Sequence, residues 1–80
     1  MPTVFRASGF RFFFYSNEGR PREPVHIHVE RDAGEAKLWL RPAVAVAYND
    51  GLSPHELATA LRLAEANRDA IETAWSEFFA

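Results

Sequence analysis

Three residues at alternate positions, His26, His28 and Glu30, stand out because the residues interleaved with them, Val25, Ile27 and Val29, are all apolar. Successive side chains on a strand point to opposite faces, so the two imidazoles and the carboxylate share one face and the aliphatic row takes the other. Histidines at i and i+2 lie about 6.5–7 Å apart at the usual strand rise. Three readings fit that spacing. As an acid and base pair, one imidazole would take the proton of a ribose 2′-hydroxyl and the other would protonate the leaving oxygen, work suited to a group titrating at about pH 6.5. Glu30 would then orient a histidine or replace it as base, and Arg11, Lys37 or Arg41 would stabilise charge on the phosphate. As metal ligands, His26, His28 and Glu30 would form a zinc site of two imidazoles and one carboxylate, but no HExxH or other ligand-spaced motif accompanies them, so no cofactor is expected. In the third reading the face is simply solvated, its histidines paired with Tyr15, Glu30 or backbone.

The elements that must hold these residues read as hairpins. Residues 3–7 and 10–16 are rich in aromatic and β-branched types on either side of Ser8-Gly9, a turn signal. A second turn signal, Asp32-Ala33-Gly34, joins the His strand to the alternating segment 35–41. Parity over the three clearest strands sorts the residues into two sets. Phe10, Phe12, Phe14, Val25, Ile27, Val29, Ala36, Leu38 and Leu40 form an apolar face. Arg11, Phe13, Tyr15, His26, His28, Glu30, Lys37, Trp39 and Arg41 form the other, provided that no strand contains a bulge. The second set mixes Phe13, Tyr15 and Trp39 with Arg11, Lys37 and Arg41, the kind of surface on which single-stranded bases stack and phosphates are held, although aromatic pairs across strands also stabilise any sheet. Between the hairpins, 17–24 carries Gly19, Pro21 and Pro24 and reads as an exposed loop, with Arg20 and Arg22 offering a basic flap as the alternative.

Residues 42–52 are the least regular stretch, read as an extended edge segment around Val44 and Val46 followed by a turn at Asn49-Asp50-Gly51. Ser53-Pro54-His55-Glu56 then has the form of a capping box with Pro at the first helical position. The apolar residues Leu57, Leu61, Ala64, Ile71, Trp75 and Phe78 continue at helical spacing to the end. The expected fold is therefore α+β: a single domain over 1–80, with an antiparallel meander sheet of four strands, or five with the edge segment, across 3–48, one face covered by a helix over 53–79. Unbroken, that helix would be about 39 Å long, roughly twice the span of a six-residue strand. Residues 70–79 are therefore expected to project and form an interface of Ile71, Trp75 and Phe78, anchored on Trp75, in a homodimer or with a partner protein; the alternative is a bend near Asn67 that buries them within the chain.

Composition narrows the classes. The 80 residues contain no cysteine, which excludes a disulfide framework and a thiolate metal site. No run approaches the roughly 18 apolar residues of a membrane span and no secretion signal opens the chain, so a cytoplasmic location without membrane contact is expected. The formal charge is −2, with seven Lys or Arg against five acids in residues 1–41 and two against six beyond. The first part is suited to an anionic ligand such as RNA, although the whole chain is not basic in the manner of a nucleic-acid binder.

With these pieces in view, the chain resembles a family of small bacterial proteins formerly catalogued only as a domain of unknown function and associated with DhiT-type toxins of type II toxin–antitoxin modules. The resemblance is carried by Pro2-Thr3-Val4-Phe5-Arg6, by Gly9-Phe10-Arg11-Phe12-Phe13-Phe14-Tyr15-Ser16-Asn17-Glu18, by His26-Ile27-His28-Val29-Glu30, by Gly34-Glu35-Ala36-Lys37-Leu38-Trp39-Leu40 and by Trp75-Ser76-Glu77-Phe78-Phe79. Pro24-Val25 stands where the family has Pro-Pro. The resemblance implies a toxin role and an antitoxin-like partner encoded by the adjacent gene, but it brings no reaction and no metal. Joined to the residues, it gives the expectation of a metal-independent endoribonuclease toxin acting through the His-x-His-x-Glu face. A non-catalytic module binding RNA or protein, and a His/Glu metal-binding domain, are the alternatives.

Overall fold

The computed structural model describes residues 2–17 and 23–80. Five strands, β1 (Thr3–Ala7), β2 (Phe10–Phe13), β3 (His26–Arg31), β4 (Gly34–Trp39) and β5 (Ala45–Asp50), form one antiparallel sheet in the order β1-β2-β3-β4-β5, followed by helices α1 (Pro54–Ala66) and α2 (Arg68–Phe78). The architecture is the expected α+β meander, with the edge segment present as a fifth strand. No helix among the described residues is long and apolar enough to cross a membrane. Arg20 and Arg22, the basic flap of the sequence reading, lie outside the described residues.

Turn chemistry sets the register. Ser8 and Gly9 both adopt positive φ, 51° and 80°, as a two-residue hairpin loop between Ala7 and Phe10 requires. At the next hairpin the positive φ falls on Asp32, at 52°, in the two-residue loop between Arg31 and Gly34. Gly34 is needed for another reason: a Cβ there would stand 2.9 Å from the Gly51 backbone and from Leu52 Cδ2, so its missing side chain lets the β5–α1 connection lie against β4.

The three central strands keep their parity, but both edge strands are bulged. β1 loses register between Thr3 and Phe5, and β5 takes an extra residue, Ala47, between its partners of Lys37 and Leu38. β5 also runs on through Asn49 and Asp50, which the sequence reading assigned to a turn. Gly51, at φ 100°, makes the turn, and the Asn49 side chain ties it down by donating to Leu52 O at 2.9 Å and accepting from Leu52 N at 3.1 Å.

The predicted capping box is formed: Glu56 N donates to Ser53 Oγ at 3.1 Å, and Ser53 N donates to Glu56 Oε1 at 2.9 Å. The long helix bends at Asn67. Its side-chain amide donates to Leu63 O at 2.8 Å, closing α1, while its carbonyl accepts from Ile71 N at 3.0 Å, opening α2. The same carbonyl still accepts the backbone bond from Asn67 N at 3.1 Å, so the side-chain bond is added to the last turn of α1, and it is the Asn67 backbone, at φ −112° and ψ 19°, that leaves the helical conformation. The bend returns the second half of the apolar stripe to the sheet, where Ile71 is fully buried and Trp75 is 3% exposed, edge-on to Phe14 at 5.4 Å. This corrects the expected interface: Ile71 and Trp75 belong to the intrachain core, and only Phe78 of the three is exposed. The core is otherwise the predicted apolar face, Phe10, Phe12, Ile27, Val29, Ala36 and Leu38 packed with Ala60, Ala64 and Ile71.

Candidate functional site

On the opposite face the pairing Phe13↔His28↔Lys37↔Tyr48 makes one row across β2 to β5, and Arg11↔Glu30↔Glu35↔Asp50 makes the next. His26 and Trp39 pair in the row on the other side of His28. On these rows Phe13 and His26 are fully buried and His28 is 2% exposed, with Trp75 of α2 packed on His26 at the end of the sheet. Long side chains cover them. The Arg11 guanidinium sits 4.3 Å from the Phe13 ring centre, and Lys37 Nζ sits 4.6 Å from that of Trp39, so in each pair the cationic end itself lies over the ring. The solvated face expected for the histidines is therefore a second, smaller core.

His28 is packed among rings: Phe13 stacked at 5.6 Å, Tyr15 edge-on at 4.6 Å, His26 at 5.3 Å and Tyr48 at 6.3 Å. His26 lies against Trp39 and Trp75, and its Nδ1 is 3.0 Å from Pro24 O; since a carbonyl only accepts, that nitrogen carries the hydrogen of the bond. Trp75 thus reaches the end of the sheet and touches both layers.

The polar centre of the face is Glu35. Tyr15 OH donates to its carboxylate at 3.0 and 3.1 Å, Tyr48 OH donates to Oε2 at 3.1 Å, and His28 Nδ1 lies 3.4 Å from the same oxygen. Tyr48 OH is also 3.5 Å from His28 Nδ1. Tyr15 just beyond β2, His28 on β3 and Tyr48 on β5 thus converge on one carboxylate of β4. The Glu35 side chain is 27% exposed and Tyr48 is 44% exposed, so the cluster runs from a buried imidazole to solvent.

The remaining predicted residues are engaged elsewhere. Glu30 accepts from Arg11 Nη1 at 2.7 Å instead of orienting a histidine, and Arg11 Nε donates to Thr3 Oγ1 at 2.9 Å. Lys37 Nζ donates to Glu23 at 2.8 Å. Arg41 joins the helical layer, where its Nη2 and Nε donate to Glu72 Oε1 at 2.6 and 3.2 Å, and Arg68 Nε donates to Glu72 Oε2 at 3.3 Å. Hydrogen bonding from Arg41, helped by Arg68, holds the Glu72 carboxyl below the ordinary carboxylate range against the upward push of burial, and Glu72 in turn raises Arg41. His26, His28 and Glu30 do not converge, and among the described residues no three His, Asp or Glu side chains are grouped to hold a metal ion.

Burial also bears on the assignment of His26 and His28 as base and acid. Imidazoles closed off from solvent cannot touch the reacting atoms of a polymer, which leaves Glu35, Tyr15 and Tyr48 as the groups at the surface of the cluster. Sequence reasoning passed over Glu35 and Tyr48. Glu35 shares parity with Lys37 and Trp39, and a two-residue loop at Asp32-Ala33 places it opposite Glu30, so the signal was there in the turn. Tyr48 had none, since the bulge at Ala47 interrupts the alternation that would assign its face.

Fold and face together define a small α+β domain that carries a carboxylate, an imidazole and two phenols on the sheet surface away from its helices. A model of the family described as Domain of unknown function (DUF4160) matches residues 9–76, and the chain belongs to that family. No curated protein and no solved structure matched the chain.

Proposed function

We propose that the protein is the toxin of a two-gene toxin–antitoxin module and acts as a metal-independent endoribonuclease through Glu35. The observation that carries the chemistry is the convergence of Tyr15, Tyr48 and His28 on that one part-exposed carboxylate. The toxin role and the antitoxin-like partner follow from the resemblance of the His-x-His-x-Glu strand and its flanking segments to DhiT-type toxins.

In this reading the Glu35 carboxylate takes the proton of a ribose 2′-hydroxyl as the 2′-oxygen attacks phosphorus. Tyr48 gives a proton to the departing 5′-oxygen and recovers one from Glu35 along their 3.1 Å hydrogen bond. The products are a 2′,3′-cyclic phosphate and a 5′-hydroxyl, and the proton count balances with no metal. Tyr15 and His28 fix the carboxylate, so they are positioning residues.

A second reading, a non-catalytic module that binds RNA or protein, is favoured by the ion pairs that engage Arg11 and Lys37 with Glu30 and Glu23. Glu35→Gln separates the two. It keeps the shape and one acceptor oxygen, so a ribonuclease loses cutting and growth arrest while a binding module keeps its effect on growth.

A further inference from the structure

We infer that Lys37 is a phosphodiester-binding site held closed by Glu23. The inference takes its ligand from the ribonuclease reading. Lys37 lies on β4 directly opposite His28 on one side and Tyr48 on the other, so it shares a row with two members of the cluster, next to the row of Glu35. Its side chain is only 15% exposed, and its ammonium is fixed over Trp39 at 4.6 Å from the ring centre. One face of the indole is thus occupied by the cation, with His26 perpendicular to it at 5.7 Å, so on that face the site offers a charge in place of a stacking surface.

The counter-ion is Glu23 Oε1 at 2.8 Å, and Glu23 differs from the groups around it. It lies outside every strand and its side chain is 38% exposed, whereas Lys37 is fixed by the sheet. A carboxylate and a phosphodiester each present anionic oxygens to an ammonium, so they compete for Lys37. The apparent affinity for the phosphodiester is then lowered by the fraction of molecules in which the carboxylate holds the site. For a partly exposed ion pair that fraction corresponds to a weakening of about fivefold.

The test uses a fluorescent single-stranded oligodeoxynucleotide, which carries phosphodiesters but lacks the 2′-hydroxyl and so is bound without being cut. The expected result is binding about fivefold tighter to Glu23→Gln, and to Glu23→Ala as a second variant, than to wild type, with the gain abolished in Glu23→Gln/Lys37→Met. Inorganic phosphate as competitor should displace the probe from Glu23→Gln at lower concentration than from the double variant. Unchanged affinity in both Glu23 variants, or a gain that survives Lys37→Met, overturns the inference. Cutting is scored separately. Tighter binding by Glu23→Gln together with full toxicity of Glu35→Gln would support the phosphate site and remove the ribonuclease. Unchanged binding together with an inert Glu35→Gln would remove the role of Glu23 alone.

Discussion

The two faces of the sheet are both buried, by different means. Against the helices the buried side chains of the central strands are hydrocarbon, Phe10, Phe12, Ile27, Val29, Ala36 and Leu38, with Arg31 at the margin paired to Glu56. On the other face the rings of Phe13, His26 and His28 lie among Arg11, Lys37, Trp39 and the tyrosines, and both tyrosines donate to Glu35. The helical face is stabilised by area removed from water and by packing, which tolerate a change of shape poorly and have no polar requirement. The second face adds a condition, because a buried donor or acceptor that loses its partner costs more than the bond contributed. In a chain of 80 residues one helical layer is available, so polar side chains serve as the second cover and chemistry can be placed beneath them.

Substitutions can break this comparison, and the largest effect belongs to the helical face. Ile27→Ala, at a fully buried position, should lower stability by about 2–5 kcal/mol in denaturant titration, as large-to-small core changes do. Gly34→Ala comes next, since its Cβ meets Gly51 backbone at 2.9 Å, and moving the β5–α1 connection should cost about 1–3 kcal/mol by the same measurement. Tyr15→Phe on the polar face removes one donor to Glu35, whose other phenol remains, and should cost about 0.5–1.5 kcal/mol. A loss as large as that of Ile27→Ala would mean that the polar face carries the fold equally. The smallest effect is at the rim of the helical layer. Glu72 has its folded pKa lowered by Arg41, so its contribution is present above the ordinary carboxylate pKa and fades as pH falls through the lowered folded value. Titrating stability from about pH 7 to about pH 3, the gap between wild type and Glu72→Gln should narrow toward the acid end.

The comparison also explains what could be read from the residues alone. The central strands were legible because their period of two is unbroken and their hairpins close on two-residue loops. The edge strands were legible as strands, β1 with its observed bounds, but the facing of their residues was not, because a bulge reverses parity: on β5, Val46 pairs with Leu38 while Tyr48, two residues on, pairs with Lys37, so the two fall on opposite faces. The bend near Asn67 was legible as one of two outcomes of the helix's excess length, and what decides it is the Asn67 backbone, which leaves helical angles, with its side-chain amide bonded to Leu63 O; the spacing of the apolar stripe does not choose between the two. Burial of the histidines was hidden for a third reason. Hydropathy counts Arg11 and Lys37 as charges turned to water, whereas their cationic ends sit over the rings of Phe13 and Trp39.

The central claim is that the polar face does chemistry through Glu35. The most direct measurement expresses wild type and Glu35→Gln from an inducible promoter, checks both purified proteins for the same circular dichroism, and maps RNA ends in the arrested cells. The account predicts cuts bearing 2′,3′-cyclic phosphates and 5′-hydroxyls with wild type, and a fall in cutting of about 10²–10⁴-fold with the variant. A folded Glu35→Gln that arrests growth and cuts RNA as wild type does would contradict it.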